Sequence, residues 1–331
     1  MADKSFLDDE QFSVLEGMLN PKKDALAEGD LIELCLHVYA KQTGPVNIDK
    51  LITACRDEFK DLATKTQVVQ VVNHMLSMEL TEPGYIQSQM NLDQKEYKIT
   101  DKGLAYLWDN LAKRNPPEVL DRYGSVIAKN KKLNAPDRKI ETHDLFALML
   151  LAVLRLEGQD ATASDVCKVL VKWVKPTGMN AEPLPSELKY TNPQTRFARK
   201  VHNVFSSHNQ VENEGLIERV GEKEIGTWRV TEAGKALLMK RTLKERRNLT
   251  MMMQAATIQK DMIGHITALN MVMSYQDLVS SEEEKMALAT FSGMIQRMVK
   301  QEVEHVNNIK SVLETPETAK AEYLPKKKGI K

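Results

Sequence analysis

The chain has 331 residues, 42% hydrophobic and 28% charged, enough for two or three separately cored units and too apolar for wholesale disorder. Forty-six basic residues balance 46 acidic ones, which excludes a global attraction to nucleic acid or anionic lipid and leaves such work to local patches. Three scattered cysteines, Cys35, Cys55 and Cys167, fit neither a disulfide framework nor a zinc cluster, so a reducing, cytoplasmic setting is expected.

Residues 1–24 are expected to form an N-terminal helical arm without the pattern of a secretory signal. Residues 31–40 then read as a buried helix broken by Thr43, Gly44 and Pro45, with a second helix over 48–59. Thr64 is a cap for a third helix running to about Met78, in which Val68, Val72, Met75 and Leu76 share one stripe. Strand, turn and strand follow over 80–97, and a trailing helix completes a unit spanning 25–112. Residues 113–139 read as a basic helical linker carrying Lys113, Arg114, Arg122, Lys129, Lys131, Lys132, Arg138 and Lys139 against three acids. Such a linker either follows a phosphate backbone or is an ordinary solvated surface.

A second unit spans 140–245. Helices are expected over 143–156 and 164–174, the latter capped by Ser164, then a proline-marked insertion from Pro176 to Pro193, then a third helix over 194–209. A hairpin and trailing helix close it. Residues 246–314 contain no proline, and Ser280 and Ser281 before Glu282 mark a turn, so two long helices are predicted, ahead of a flexible basic tail over 315–331. Ile258, Met262, Ile266, Leu269 and Met273 stripe the first helix. Leu288, Phe291, Ile295, Met298, Val299, Val303 and Val306 stripe the second. A lone hairpin covers both stripes poorly, so a homodimer through 246–314 is expected.

The most informative feature is an echo 131 residues apart. Tyr97, Lys98, Ile99, Thr100, Asp101 and Gly103 return as Trp228, Arg229, Val230, Thr231, Glu232 and Gly234. Each copy reads as a half-buried strand turning into a Thr-capped helix, with glycine where the helix lies close to a neighbour. These segments, with the exit at Leu216, Ile217 and Glu218, resemble the wing and following helix of winged helix-turn-helix regulators of the MarR and PadR kinds. The resemblance is at the superfamily level and covers about 25–112 and 140–245. It implies a mainly α fold with small β-wings: tandem winged-helix domains plus a long C-terminal helical hairpin.

The resemblance also implies that each third helix is the one that enters a major groove. In the second copy the outward face carries Arg196, Arg199, His202, Asn203 and Ser206, with Lys200 at its flank and no acid along the helix before Glu212. Lys223 and Arg229 would serve on the wing. Arginine grips phosphate or guanine bidentately, and the competing reading is a solvated face paired with neighbouring carboxylates. The first copy offers the uncharged Gln67, Gln70 and Asn73, which suit adenine or an ordinary polar surface, and Lys131 and Lys132 of the linker are candidate backbone contacts.

Glu302 and His305 have a metal-ligand spacing, as do Asp261 and His265. A turn near residue 281 would set His305 opposite Thr257, with His265 about two turns away, so no metal or other cofactor is expected. The cysteines lie on apolar helices as inert thiols, the methionines read as packing, and no phosphate-binding glycine motif or Gly-x-Ser-x-Gly occurs, so no enzyme is expected. No run of about 18 apolar residues occurs, and no membrane span is expected. The leading expectation is a dimeric, cytoplasmic protein that binds double-stranded DNA as a transcriptional regulator or nucleoid-associated factor. The rival is a protein-interaction scaffold like the tandem winged-helix accessory subunits of condensins, and a ligand-sensing repressor is a third reading.

Overall fold

A computed structural model describes residues 13–15, 17–19, 31–42, 44–58, 65–74, 76–77, 81–92, 94–156, 161–184, 195–205, 215–220, 226–276 and 278–314. The fold is mainly helical with small antiparallel sheets and a long C-terminal helix. The chain divides into two compact units, Asp9–Lys244 and Met1–Asp8 with Glu245–Lys331.

Within Asp9–Lys244 the first series is α1 (Leu31–Lys41), β1 (Val46–Asn47), α2 (Ile48–Glu58), α3 (Lys65–His74), β2 (Ile86–Asn91), β3 (Gln94–Ile99) and α4 (Asp101–Arg114). Helix α1 packs on α2 and α4, and α2 on α3, burying Leu36, Leu51, Cys55, Val72 and Trp108. Strands β2 and β3 pair antiparallel from Ile86 opposite Ile99 to Asn91 opposite Gln94. The hairpin begins later than expected because residues 81–84 form a turn that needs the left-handed Gly84, at φ +76°. Strand β1 was not anticipated. It sets Val46 opposite Tyr97 and gives a sheet in the order β1-β3-β2.

The second series is α5 (Pro117–Asn130), α6 (Thr142–Arg155), α7 (Ala163–Val174), α8 (Arg196–Val204), β4 (Ile217–Val220), β5 (Thr227–Val230) and α9 (Glu232–Gln276). The stretch expected as a linker is core structure. Helix α5 packs on α6 and α7 and buries Leu120, Tyr123 and Ile127, which share one helical face at i, i+3, i+7 spacing between the basic clusters at either end of the segment. Gly124 lets the Trp173 ring approach so closely that a Cβ there would stand 2.5 Å from it. Helix α7 starts one residue earlier than expected, because its cap is Thr162, whose hydroxyl accepts the Asp165 N–H at 3.2 Å, and not Ser164. Thr162 also bridges to Thr227, and Ala161 accepts the Trp228 N–H at 3.1 Å, so this hairpin too has a short third partner just before the second helix.

The two series share their joints at the interval of 131. Thr100 and Thr231 donate their N–H groups to Tyr85 and Leu216 at 2.9 and 3.0 Å, and their hydroxyls to Gly84 and Gly215. Both hydroxyls cap the next helix at the N–H of Gly103 or Gly234, 3.2 Å away. Ile86 opposite Ile99 corresponds to Ile217 opposite Val230.

In the other unit α9 continues to Gln276 and is followed by α10 (Glu282–Glu314). The hairpin's first helix is therefore no separate element starting at 246; it begins at Glu232. The covered positions include Met251, Ala255, Ile258, Met262, His265, Leu269 and Val272 on α9, and Leu288, Ser292, Ile295, Val299, Glu302, Val306 and Ile309 on α10. Both sets alternate spacings of four and three, the seam of a coiled coil. Ile266, Met273, Phe291, Met298 and Val303, expected in the stripes, are exposed instead, because a 3.5-residue seam drifts from a 3.6-residue stripe.

Candidate nucleic-acid interface

Helix α8 starts at a capping threonine, Thr195, whose hydroxyl accepts the Ala198 N–H at 3.2 Å. Phe197, Val201 and Val204 turn inward and are fully buried, as their spacing predicts. The opposite face holds Arg196 and Asn203 exposed, with Arg199 and His202 half-buried. Burial pushes the His202 imidazole below its ordinary value and keeps it neutral near pH 7, so it offers a hydrogen bond and no charge. Arg199 has no carboxylate partner among the described residues.

The expectation of an acid-free face is corrected by folding. Glu182, from the insertion, comes within 3.5 Å of Arg196, and Glu141, from the entry to α6, lies 3.9 Å from Lys200. Lys200 donates to the Ile140 carbonyl and is turned back onto the protein, so it is not an outward cation. Ser206 and Lys223 lie outside the described residues. On the hairpin, Arg229 is exposed and sits 4.0 Å from Glu218, directly across the strand pair.

A second hairpin cation was missed. The Arg219 guanidinium lies 5.4 Å from the centre of the Trp228 ring, and that ring also packs against Phe205, at the end of α8, at 5.3 Å. Arg219 and the end of α8 therefore meet on one shared aromatic. Its signal in the sequence was only the alternation of Ile217, Glu218, Arg219 and Val220.

In the first series Gln70 and Asn73 are exposed on α3, and the side chain of Gln67 lies outside the described residues. Two cations there stand over aromatic rings, one on strand β3 and one in the first turn of α4. Lys95 stands 5.5 Å from the centre of the Tyr97 ring, and Lys102 lies 5.7 Å over Tyr85, which packs against Tyr106 at 4.8 Å.

Part of the connector's basic excess is paired within the chain. Lys131 is half-buried and donates to the Asp144 carbonyl at 2.9 Å, Arg138 pairs with the Asp144 carboxylate at 3.0 Å, and Lys139 meets Glu141 at 3.2 Å. Lys132 alone of the two candidate lysines is exposed, in the left-handed region at φ +51°. Asp121 of α5 accepts from Lys172 and from the Trp173 indole, both at 3.0 Å, with Arg155 Nε 3.3 Å away. Burial would raise the Asp121 carboxyl, but these donors and charges outweigh it and hold it below its ordinary value.

Cys35, Cys55 and Cys167 are buried thiols, and contact with Cys55 together with burial pushes Cys35 upward. His265 meets Glu302, Nδ1 to Oε1 at 2.9 Å, while Asp261 and His305 are exposed. The hairpin register thus differs from the expected one, in which His265 stood two turns from the His305 end. Among the described residues no three His, Cys, Asp or Glu side chains are placed to hold a metal ion, and no helix is long and apolar enough to cross a membrane. The outward faces of α8 and its hairpin can donate guanidinium and amide hydrogen bonds to an anionic partner. No family model, curated protein or solved structure matches the chain.

Proposed function

We propose that this protein binds double-stranded DNA through two tandem winged helices, as a homodimer joined through residues 246–314. The observation that carries the reading is the repeated order of helix, helix, helix, hairpin and helix, with the same threonine and glycine joints 131 residues apart. In each copy a short segment before the second helix also closes on the second hairpin strand, β1 in the first copy and the Thr162 bridge in the second. Helix α8, with Arg196, Arg199 and Asn203 outward, is the main groove contact, and Arg229 belongs to its wing. The decisive measurement is salt-titrated binding to duplex DNA by the wild type and by Arg196→Glu/Arg199→Glu. Affinity and the salt slope both fall in the folded variant; an unchanged slope rejects α8 as the contact.

A second reading, a scaffold that grips a partner protein, is favoured by one observation. Glu182 and Glu141 approach the basic face of α8, and the described face of α3 is uncharged. Under that reading the purified protein shows no duplex binding at moderate salt and recovers one stoichiometric protein partner.

A further inference from the structure

The two hairpins hold a cation over an aromatic ring by different routes. Tyr97 and Trp228 are equivalent at the interval of 131, and both are almost fully buried. In the first copy the cation is Lys95, two residues before Tyr97 on the same strand, and the residue directly across from the ring is the small Ser88. In the second copy the position of Lys95 is taken by Gly226, and the position of Ser88 by Arg219, directly across from Trp228. The exchange is reciprocal. A Cβ at Gly226 would stand 3.0 Å from an Arg219 guanidinium nitrogen, so the Arg219 head occupies the space beside that position. The side chains have changed strands while the charge has stayed on the aromatic.

A cation retained by two routes is held for its charge. Shielding a ring edge needs only an apolar stem, yet both copies end in a full positive charge. Neither Lys95 nor Arg219 has a carboxylate partner among the described residues, whereas Arg138, Arg155, Lys168, Lys235 and Lys240 all do. Stacking also fixes the cation in place before it binds, which lowers the entropy lost on contact. We infer that Lys95 and Arg219 are matched phosphate contacts, one per copy, that grip the backbone of duplex DNA without reading its sequence. The inference rests on the DNA-binding reading above, and it makes the first copy a backbone clamp although the described face of α3 is uncharged.

The test uses the full chain with Lys95→Met, Arg219→Met and the double variant, because methionine keeps an apolar stem over the ring and removes the charge. Each single variant lowers the salt slope of binding to a random-sequence duplex by about 1 and the double by about 2, equally for different sequences, with the thermal midpoint retained. Slopes equal to wild type in folded variants overturn the inference while leaving DNA binding intact. No duplex binding by the wild type overturns the inference and the DNA reading together. A midpoint lowered by methionine, with Arg219→Lys and Lys95→Arg restoring the midpoint but no variant moving the slope, assigns the pairs to folding alone and also overturns it.

Discussion

A Cβ at residue 234 would stand less than 2.5 Å from the Leu216 carbonyl oxygen, and one at residue 103 would meet the Tyr85 oxygen at 2.5 Å. Both clashes are with backbone, which cannot swing aside. Gly234→Ala and Gly103→Ala are therefore expected to destabilise by about 1–3 kcal/mol each, read as a lower urea midpoint. Gly264, with open space around it in α9, is the control, and Gly264→Ala raises helix stability by about 0.5–1 kcal/mol.

The carboxylate of Asp121 ties α5 to α6 and α7. Its folded pKa is depressed, so its contribution is fully present above the ordinary value of 3.8 and is lost as pH falls through that value and below. Asp144, also depressed, adds the same dependence. Asp121→Asn should cost about 2 kcal/mol at pH 7 and flatten the fall of the thermal midpoint between neutral pH and acid. A midpoint that still falls as steeply would remove Asp121 from the acid response.

Lys200 and Arg196 sit on one helix but should fail in different assays. Lys200→Met loses the bond to the Ile140 carbonyl and lowers stability by about 1 kcal/mol, with an unchanged salt slope of DNA binding. Arg196→Gln should leave the midpoint nearly unchanged, since its ion pair with Glu182 is exposed, and should lower the slope.

Ile263, Met271, Met273, Met286, Phe291 and Met294 are each at least half exposed along α9 and α10. If a second copy covers Phe291 and Met294, Phe291→Glu/Met294→Glu weakens self-association by roughly 100-fold or more, seen as a shift from dimer to monomer in sedimentation velocity. A wild type that sediments as a monomer at all concentrations refutes the dimer.

Local chemistry was the readable part of the sequence. Thr100 with Gly103 and Thr231 with Gly234 announce their helix starts within four residues, and Phe197, Val201 and Val204 announce the buried face of α8. What was hidden depends on approach. Glu141 and Glu182 meet α8 only in the folded chain, β1 is too short to show a period, and the exchange of Lys95 for Arg219 emerges only when strand register is known. The tail seam was misplaced by one residue, from Ile266 to His265, because two nearly equal periods separate over several turns.

The pairing of Val46 with Tyr97 closes a loop of 51 residues (97 minus 46), and Thr162 with Thr227 closes one of 65 (227 minus 162). Each sheet can finish only after its helices and hairpin are in place, because the cost of closing such a loop comes before the contact repays it. Neighbouring copies built to one plan also invite each short strand to close on the wrong hairpin during folding. Glu96 and Thr227 are equivalent at the interval of 131 and each takes a polar partner, Asn47 in the first copy and Thr162 in the second, so the paired side chains do not by themselves tell one hairpin from the other.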